Sequence, residues 1–587
     1  MRRPRVFLLA CLLPALVGAP AVARSAAGYQ SSKPIYSMVT AEARIPMDDG
    51  VELAATVGFP SKDGSKRATG RFPVVVTLTP YGKDLTSPSS YLVTRGYVVA
   101  VVDIRGAGQS GGDLSDNYFS PREQRDGYFV VEWLARQSWS NGRVGMYGGS
   151  YQGITQYLTA AQQPPHLKAI VPDMALGDLY RDATYHGGLL SQFFGAQYLA
   201  VQGGPGLGSG LHRPDLYPGI LATKATQASG DPIAFDYLAH NTDDRFYRER
   251  APVRLASRIR VPVLIHDGWF DGFIRGASEM WRVLSARRGV ETRLWVDPTP
   301  HKGAQSTQYN PSGYPSSALG DFAAARLEFF DRHLKGFRTP PRPRVHLFRM
   351  GDDRYHDGAS WPPAGVRYTR YYASAAGLTT KKPAVGSGSY ASNPTDGWTT
   401  TMSRHGNLGA STYQPLDQSL EPAAGLVWRT PALTKALPLC GPIAVDLAAA
   451  STASETSWVV RVSDVQPDGS ALLLTEGYLR ASHRALDPKQ SRPERPYHPH
   501  LKPTPITPNA VTRYAIELWP TCIELAKGHR LQVQLTSDDF PNHAPGTVRV
   551  DRDDPSRLEV VPDQPAVQTV RYGGPQPTSI LLPVLPR

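Results

Sequence analysis

Two rhythms of apolar and polar residues divide this 587-residue chain near residue 340. Before the divide, short continuous apolar runs alternate with stretches of helical spacing. Pro73–Leu78, Tyr97–Val102, Val144–Tyr147, Leu167–Val171, Val261–His266 and Thr292–Val296 read as strands apolar on both faces, as in a parallel sheet. Arg122–Gln137, with Phe129, Trp133 and Leu134 at helical spacing, and Phe322–Leu334 read as helices. Ahead of them, Thr40–Phe59 reads as a strand pair turning at Asp48-Asp49-Gly50. Such alternation predicts an α/β class, a doubly wound sheet with right-handed crossovers.

Between about 174 and 250 the rhythm lapses into a Tyr-, Gly- and Phe-rich segment, with short helices expected at Leu189–Val201 and Pro232–Tyr237. An insertion there reads as a cap over the carboxyl edge of the sheet. Thr339–Pro343 is a proline-rich linker, and beyond it short alternating strands such as Ser457–Val465, Leu472–Leu479 and Arg530–Thr536 predict an all-β sandwich or jelly roll. The expected units are a core at 38–173 and 251–338, a helical cap at 174–250 and a β domain at 344–587. No internal repeat is apparent.

Composition agrees with many turns and short strands, since the chain holds 54 glycines and 53 prolines. The net charge of +12 is dispersed, without a basic run or an aromatic-basic stripe, so no nucleic-acid partner is expected. Arg2, Arg3 and Arg5, the apolar stretch Val6–Val17 and the small residues Ala21-Val22-Ala23 read as a signal peptide over 1–23, cleaved on export to the periplasm or medium. Its apolar run is too short and too interrupted by proline to span a membrane. Cleavage removes Cys11 and leaves Cys440 and Cys522. In an oxidising compartment that pair reads either as a bridge within the β domain or as two small buried hydrophobes.

Residues 143–153, RVGMYGGSYQG, place Ser150 between an apolar strand and a helix that begins near Ile154. Small neighbours let such a turn tighten and push the hydroxyl out of the sheet, as a nucleophile elbow requires. Gln152 breaks the strict G-x-S-x-G pattern, the second glycine arriving at Gly153. An exposed serine in a tight turn is the other reading of the same residues. What favours the elbow is the order of later residues: Asp267 and Asp271 follow one strand, and His301 follows the next. Asp271 lies further out along its loop, where it can reach the histidine, and Asp267 reads as structural. The amide of Tyr151 and the hydroxyl of Tyr81, in the loop after Pro73–Leu78, are the candidate oxyanion donors.

These features resemble the cocaine esterase-like (CocE/NonD) and X-prolyl dipeptidyl-peptidase family of α/β-hydrolases. The resemblance rests on Pro80-Tyr81-Gly82, on Asp103 to Gly111 (DIRGAGQSG), on Gln137 to Met146 leading into GGSYQG, on Asp271 within GWFDGF and on the His301 loop. In the β region Phe348 to Gly351, Trp361 to Pro363 and Gly528 to Leu531 add to it. It implies an α/β-hydrolase core with a helical cap and a C-terminal jelly roll. It implies Ser150 as nucleophile, His301 as base, Asp271 as its orienter, and Tyr81 with Tyr151 as oxyanion donors. Neither a cofactor nor a metal is called for, and His483, His498 and His500 lack the spacing of a zinc site.

The acyl pocket is expected to be apolar, with Trp269, Phe270 and Phe273 as its candidate walls and Tyr151 near the triad. The stretch after Asp271 carries no acid and ends in Arg275, so an acyl group bearing a free ammonium is not expected. Asp178 and Asp182 could supply that charge from the cap, or could be helix surface charges. The resulting expectation is an exported acyl esterase or amidase acting on a small-molecule substrate. The alternatives are an X-Pro dipeptidyl-peptidase, an α-amino acid ester hydrolase and, remotely, a secreted binding protein. The sequence leaves the oligomeric state open, a homo-oligomer included.

Overall fold

The computed structural model describes residues 29–113, 118–191, 194, 237–301, 319–394, 417–419, 425–539, 542–544, 546–550 and 558–586. The expected leader and most of the segment from 192 to 236 lie outside them.

The first sheet is built from β1 (Ser37–Pro46), β2 (Glu52–Ser61), β3 (Phe72–Thr79), β4 (Val98–Asp103), β5 (Ser140–Gly149) and β6 (Leu167–Asp173). After the two-residue strands β7 (Tyr185–His186) and β8 (Leu189–Leu190), which pair only with each other, it continues with β9 (Val263–Gly268), β10 (Thr292–Asp297), β11 (Val345–Arg349) and β12 (Arg354–Gly358). Its spatial order is β1-β2-β4-β3-β5-β6-β9-β10-β11-β12, parallel from β4 to β11. The continuous apolar runs are explained by burial: Val74, Val75 and Val76, like Val98 to Val102, have no exposed surface.

Four helices matter for the site: α1 (Pro121–Arg136), α2 (Tyr151–Ala161), α3 (Ile274–Ser285) and α4 (Phe322–Lys335). α1 starts where Ser120 Oγ accepts the Glu123 amide and Pro121 presets the first turn. Its Val130, Val131 and Leu134 face the sheet. α4 starts at Asp321, which caps the Ala324 amide, and stops at Gly336, left-handed at φ +77°.

The chain past the linker departs from the expected boundary. β11 and β12 belong to the first sheet, with Leu294 opposite Val345 and Val296 opposite Leu347. Their five-residue lengths look like sandwich strands, but Val345, Leu347 and Phe348 cover the edge of β10, which would otherwise be open. Leu189 and Leu190, expected to be helical, form β8 instead, opposite Tyr185 and His186 across the turn at Gly187-Gly188.

The β region contributes β13 (Arg367–Ser374), β14 (Gly377–Thr379), β15 (Gly386–Ser392), β16 (Gly425–Arg429), β17 (Leu437–Ser451), β18 (Ser457–Val465) and β19 (Ala471–Arg480). β20 (Thr512–Leu525), β21 (Arg530–Thr536), β22 (Gly546–Val550), β23 (Leu558–Pro562), β24 (Ala566–Tyr572) and β25 (Ser579–Val584) complete it. Eleven of these form one antiparallel sheet, and Leu378, Trp428, Leu447, Val460, Val533 and Ile580 from six strands converge on its interior. Among the described residues no helix is long and apolar enough to cross a membrane.

Cys440 and Cys522 face each other in the β17–β20 ladder and are bridged, with their Cα atoms 4.0 Å apart. The bridge spans 82 residues of sequence, so in the chain-entropy model it stabilises the fold by about 4 kcal/mol. Thiol titration of unfolded, unreduced protein should find neither cysteine free, and Cys440→Ala with Cys522→Ala should lower the thermal midpoint. Two titratable thiols would contradict the bridge.

Candidate active site

Ser150 sits between β5 and α2 at φ +60°, ψ −127°, a conformation that a side chain adopts only under local constraint. Three contacts impose it. The Ser150 amide donates to the Asp173 carbonyl at the end of β6 (3.0 Å), and the Ser150 carbonyl accepts from Gly153 and Ile154 (2.8 and 3.0 Å). Gly148, at φ +131°, has no room for a Cβ, which would lie 2.6 Å from that of Gln152. Gly153 explains the shifted motif. A Cβ there would lie 2.6 Å from the Asp173 carbonyl oxygen and 2.9 Å from the Ala175 methyl, so the close approach of α2 to β6 falls one residue later than in G-x-S-x-G.

The three residues expected to act together form one hydrogen-bonded chain. His301 Nε2 is 2.9 Å from Ser150 Oγ, and His301 Nδ1 is 2.8 Å from Asp271 Oδ2. Asp271 is wholly buried, and its other oxygen accepts the Phe273 amide at 2.7 Å. An imidazole held this way keeps its unprotonated nitrogen toward the hydroxyl and can take its proton. Asp267 is buried beside Asp271. Burial, then the Asp271 charge, pushes its carboxyl well above the usual range, which disfavours a second orienting carboxylate at this position.

The Tyr81 loop is fixed by the Asp103 motif. Buried Asp103 accepts the amides of Lys83 (2.5 Å) and Gln109 (2.9 Å), and a Cβ at Gly108 would lie 2.2 Å from one of its oxygens. Burial outweighs these bonds and raises its pKa to about 7. Arg105 forks onto Asp126 of α1 through Nε and Nη2, both at 2.8 Å. The DIRGAGQSG stretch is therefore scaffolding that ties the loop after β3 to α1. Tyr81 itself is half-buried against the core.

Several expected wall residues point elsewhere. Trp269 donates from Nε1 to the Phe348 carbonyl (2.6 Å) and packs on Trp361, with ring centres 5.3 Å apart, so it fastens the loop to β11. Phe270 is fully buried, its amide donating to Thr299 (3.1 Å). Phe273 does reach the site, edge-on to the His301 ring at 5.1 Å. The Tyr151 ring turns inward: its hydroxyl donates to Glu123 (2.8 Å) and accepts the Tyr118 amide (3.0 Å). Its own amide opens α2, where a helix N–H has no intrahelical acceptor. Glu123 was not singled out by the sequence. Burial raises its pKa to about 7.

The charges that bear on specificity are also committed. Arg275 pairs with Asp182 (2.8 Å) and with Glu517 of β20 (2.9 Å), the first two buried and Glu517 partly so. Asp182 further accepts the amides of Gly177 (2.9 Å) and Asp178 (2.7 Å), and burial lifts its pKa to about 6 against the pull of Arg275. Asp178 pairs with Arg181 at 2.7 Å, and the charges of Arg181 and Arg275 hold its carboxyl low despite its burial. Neither acid is a helix surface charge.

Comparison with known proteins bears on the fold and the class of the molecule. Residues 49–303 match the model of the X-Pro dipeptidyl-peptidase S15 family, and residues 338–581 match the X-Pro dipeptidyl-peptidase C-terminal non-catalytic domain. A cocaine esterase from a Rhodococcus species is 28% identical over 94% of this chain and 99% of its own length. In fold, an aminopeptidase from a marine sediment thaumarchaeon superposes with a TM-score of 0.76 at 23% identity, covering 95% of this chain and 98% of its own. A CocE/NonD family hydrolase from Staphylococcus aureus gives 0.71 at 22%, covering 93% and 94%. The molecule is thus a serine hydrolase of α/β-hydrolase fold with a C-terminal β-rich domain. It carries the S15 peptidase domain and its C-terminal companion, has cocaine esterase and Xaa-Pro dipeptidyl-peptidase homologues, and has CocE/NonD hydrolases among its neighbours in fold.

The elbow geometry can be tested without a substrate. Gly153→Ala drives a methyl into the β6 backbone, and overpacking of this kind costs about 1–3 kcal/mol. The urea midpoint should fall accordingly. An unchanged midpoint would mean that α2 can shift away from β6.

Proposed function

We propose that this chain is an exported acyl esterase, also competent on activated amides, that works through an acyl-enzyme on Ser150. The observation that carries the reading is the unbroken chain from Asp271 through His301 to the Ser150 hydroxyl. As Oγ attacks the acyl carbonyl, His301 Nε2 takes its proton, and Asp271 holds the imidazolium that results. The carbonyl π-bond opens to an oxyanion, which accepts from the Tyr151 amide and the Tyr81 hydroxyl. The intermediate then expels the alcohol or amine, which leaves with the proton from His301. Water repeats the cycle on the ester formed at Ser150 and releases the acid. A cap formed by residues 174–250 over this edge of the sheet belongs to the same reading. Export is supported by the leader read over 1–23 and by the Cys440–Cys522 bridge, which suits an oxidising compartment.

A fluorophosphonate probe should label the protein once and leave Ser150→Ala unlabelled, as followed by intact-protein mass spectrometry. Labelling that persists in the variant would move the nucleophile to another residue.

We further propose a neutral or anionic acyl group. Buried Asp178 and Asp182 are held by Arg181 and Arg275, which leaves neither to pair with a substrate ammonium. X-Pro dipeptide cleavage, the activity in the family's description, requires such a partner for the free amino terminus. Methyl phenylacetate should be turned over with a higher kcat/KM than methyl phenylglycinate, and p-nitrophenyl acyl esters should outpace Gly-Pro anilides. A tenfold preference for phenylglycinate would reverse this assignment and favour recognition of the amino group.

A further inference from the structure

One buried imidazole near the site is not used by the reaction just described. His266 ends the apolar part of β9, and its two ring nitrogens meet two carboxylates: Nδ1 lies 2.6 Å from Asp173 Oδ1, and Nε2 lies 3.0 Å from Asp297 Oδ2. Both acids end strands that flank β9 in the sheet, β6 on one side and β10 on the other. The backbones of these acids lead directly to the site. The Asp173 carbonyl is the acceptor that holds the Ser150 amide, and Asp297 precedes His301 by four residues in DPTPH.

Other contacts make the bridge rigid. Asp297 Oδ1 accepts the Trp295 indole N–H and the Tyr355 hydroxyl, both at 2.6 Å. The ring of Phe322 from α4 stacks on the imidazole, with centres 3.8 Å apart, as suits a cation over an aromatic face. Besides Asp173 and Asp297, the neighbouring titratable groups are Asp267, the next residue in β9, and Tyr355 beyond Asp297. Burial favours the neutral imidazole, but the two carboxylates outweigh it and lift its pKa to about 10. His266 is therefore a standing cation across the neutral range.

We propose that His266 is a positioning residue for acyl transfer, bridging the ends of β6 and β10 so that the elbow serine and the histidine loop keep their register. The proposal rests on the reading of Ser150 and His301 as nucleophile and base. It adds a charge effect to the geometric one. The cation offsets one of the two carboxylates near the loop of His301, and without it the net negative charge there doubles. Excess negative charge favours protonated His301, so the acid limb of the pH profile should move to higher pH.

The test is kcat and KM for p-nitrophenyl acetate across pH, on wild type, Ser150→Ala, His266→Gln and the double variant His266→Gln/Asp297→Asn. For His266→Gln we expect kcat to fall about tenfold or more with little change in KM, and the acid limb to rise by about half a pH unit or more. The double variant, with its charge balance restored, should return the limb to the wild-type position and recover part of kcat. A folded His266→Gln protein with wild-type kcat and limb overturns the proposal. A loss of kcat with an unmoved limb that Asp297→Asn does not relieve also overturns it, because packing alone would then account for the loss. If His266→Gln does not fold, Asp297→Asn alone decides: its acid limb should move to lower pH, and an unmoved limb refutes the proposal. Residual turnover in Ser150→Ala is a separate result, since it removes the nucleophile assignment itself.

Discussion

The contact between α2 and β6 is the constraint on which the site depends. Only glycine at 153 lets the helix approach the Asp173 carbonyl so closely, and only that approach lets the same carbonyl take the Ser150 amide. The serine backbone is thereby held in a region that costs of order 1–3 kcal/mol. The apolar sheet meets that cost, because β5 lies between β3 and β6 with its valine and methionine side chains fully buried. A looser core would let the turn relax and withdraw the hydroxyl from His301.

Around this turn the acids divide into three electrostatic states. Asp271 sits among donors and orients an imidazole. Asp267, Asp103 and Glu123 are buried with too little compensation, and each is displaced toward its neutral form. Asp173 and Asp297 share one cation. Burial acts on all of them, and the nearest donor or charge decides the outcome. The carboxyl edge of the sheet carries many acids without becoming a field of repelling charges.

The parallel strands of the core and the chain order of Ser150, Asp271 and His301 could be read from the sequence, because continuous apolar runs and post-strand loops are local signals; the order of the strands in the sheet could not. Asp267 was separated from Asp271 by its position alone, and burial supplies the reason. Side-chain directions were not readable. Trp269 looked like a pocket wall, yet its indole needs a buried acceptor and finds one at Phe348, 79 positions away. Arg275 looked like a charge beside the pocket, yet its partner Glu517 lies 242 positions further on. His266 ended a strand like any other polar residue. A faint signal did exist, since acids occur at 173, 267 and 297, at or near the ends of three consecutive strands of the core. Alternation shows that a strand exists and not which sheet it joins, so the sequence could not show that β11 and β12, past the linker, complete the first sheet.

That pairing has a consequence for how the chain can be divided. The C-terminal match begins at residue 338, yet the parallel partner of β10 begins at Val345. A fragment cut at the linker would keep β10 as an unguarded edge, with the backbone groups of Leu294–Val296 that pair with β11 facing water, and would lose the Tyr355 hydroxyl that braces Asp297. Edges of that kind recruit strands from other molecules. Sequence similarity and hydrogen bonding thus place the seam of this molecule differently. An autonomous catalytic unit would have to retain the hairpin through Gly358, and with it the first residues of what the family counts as its other half.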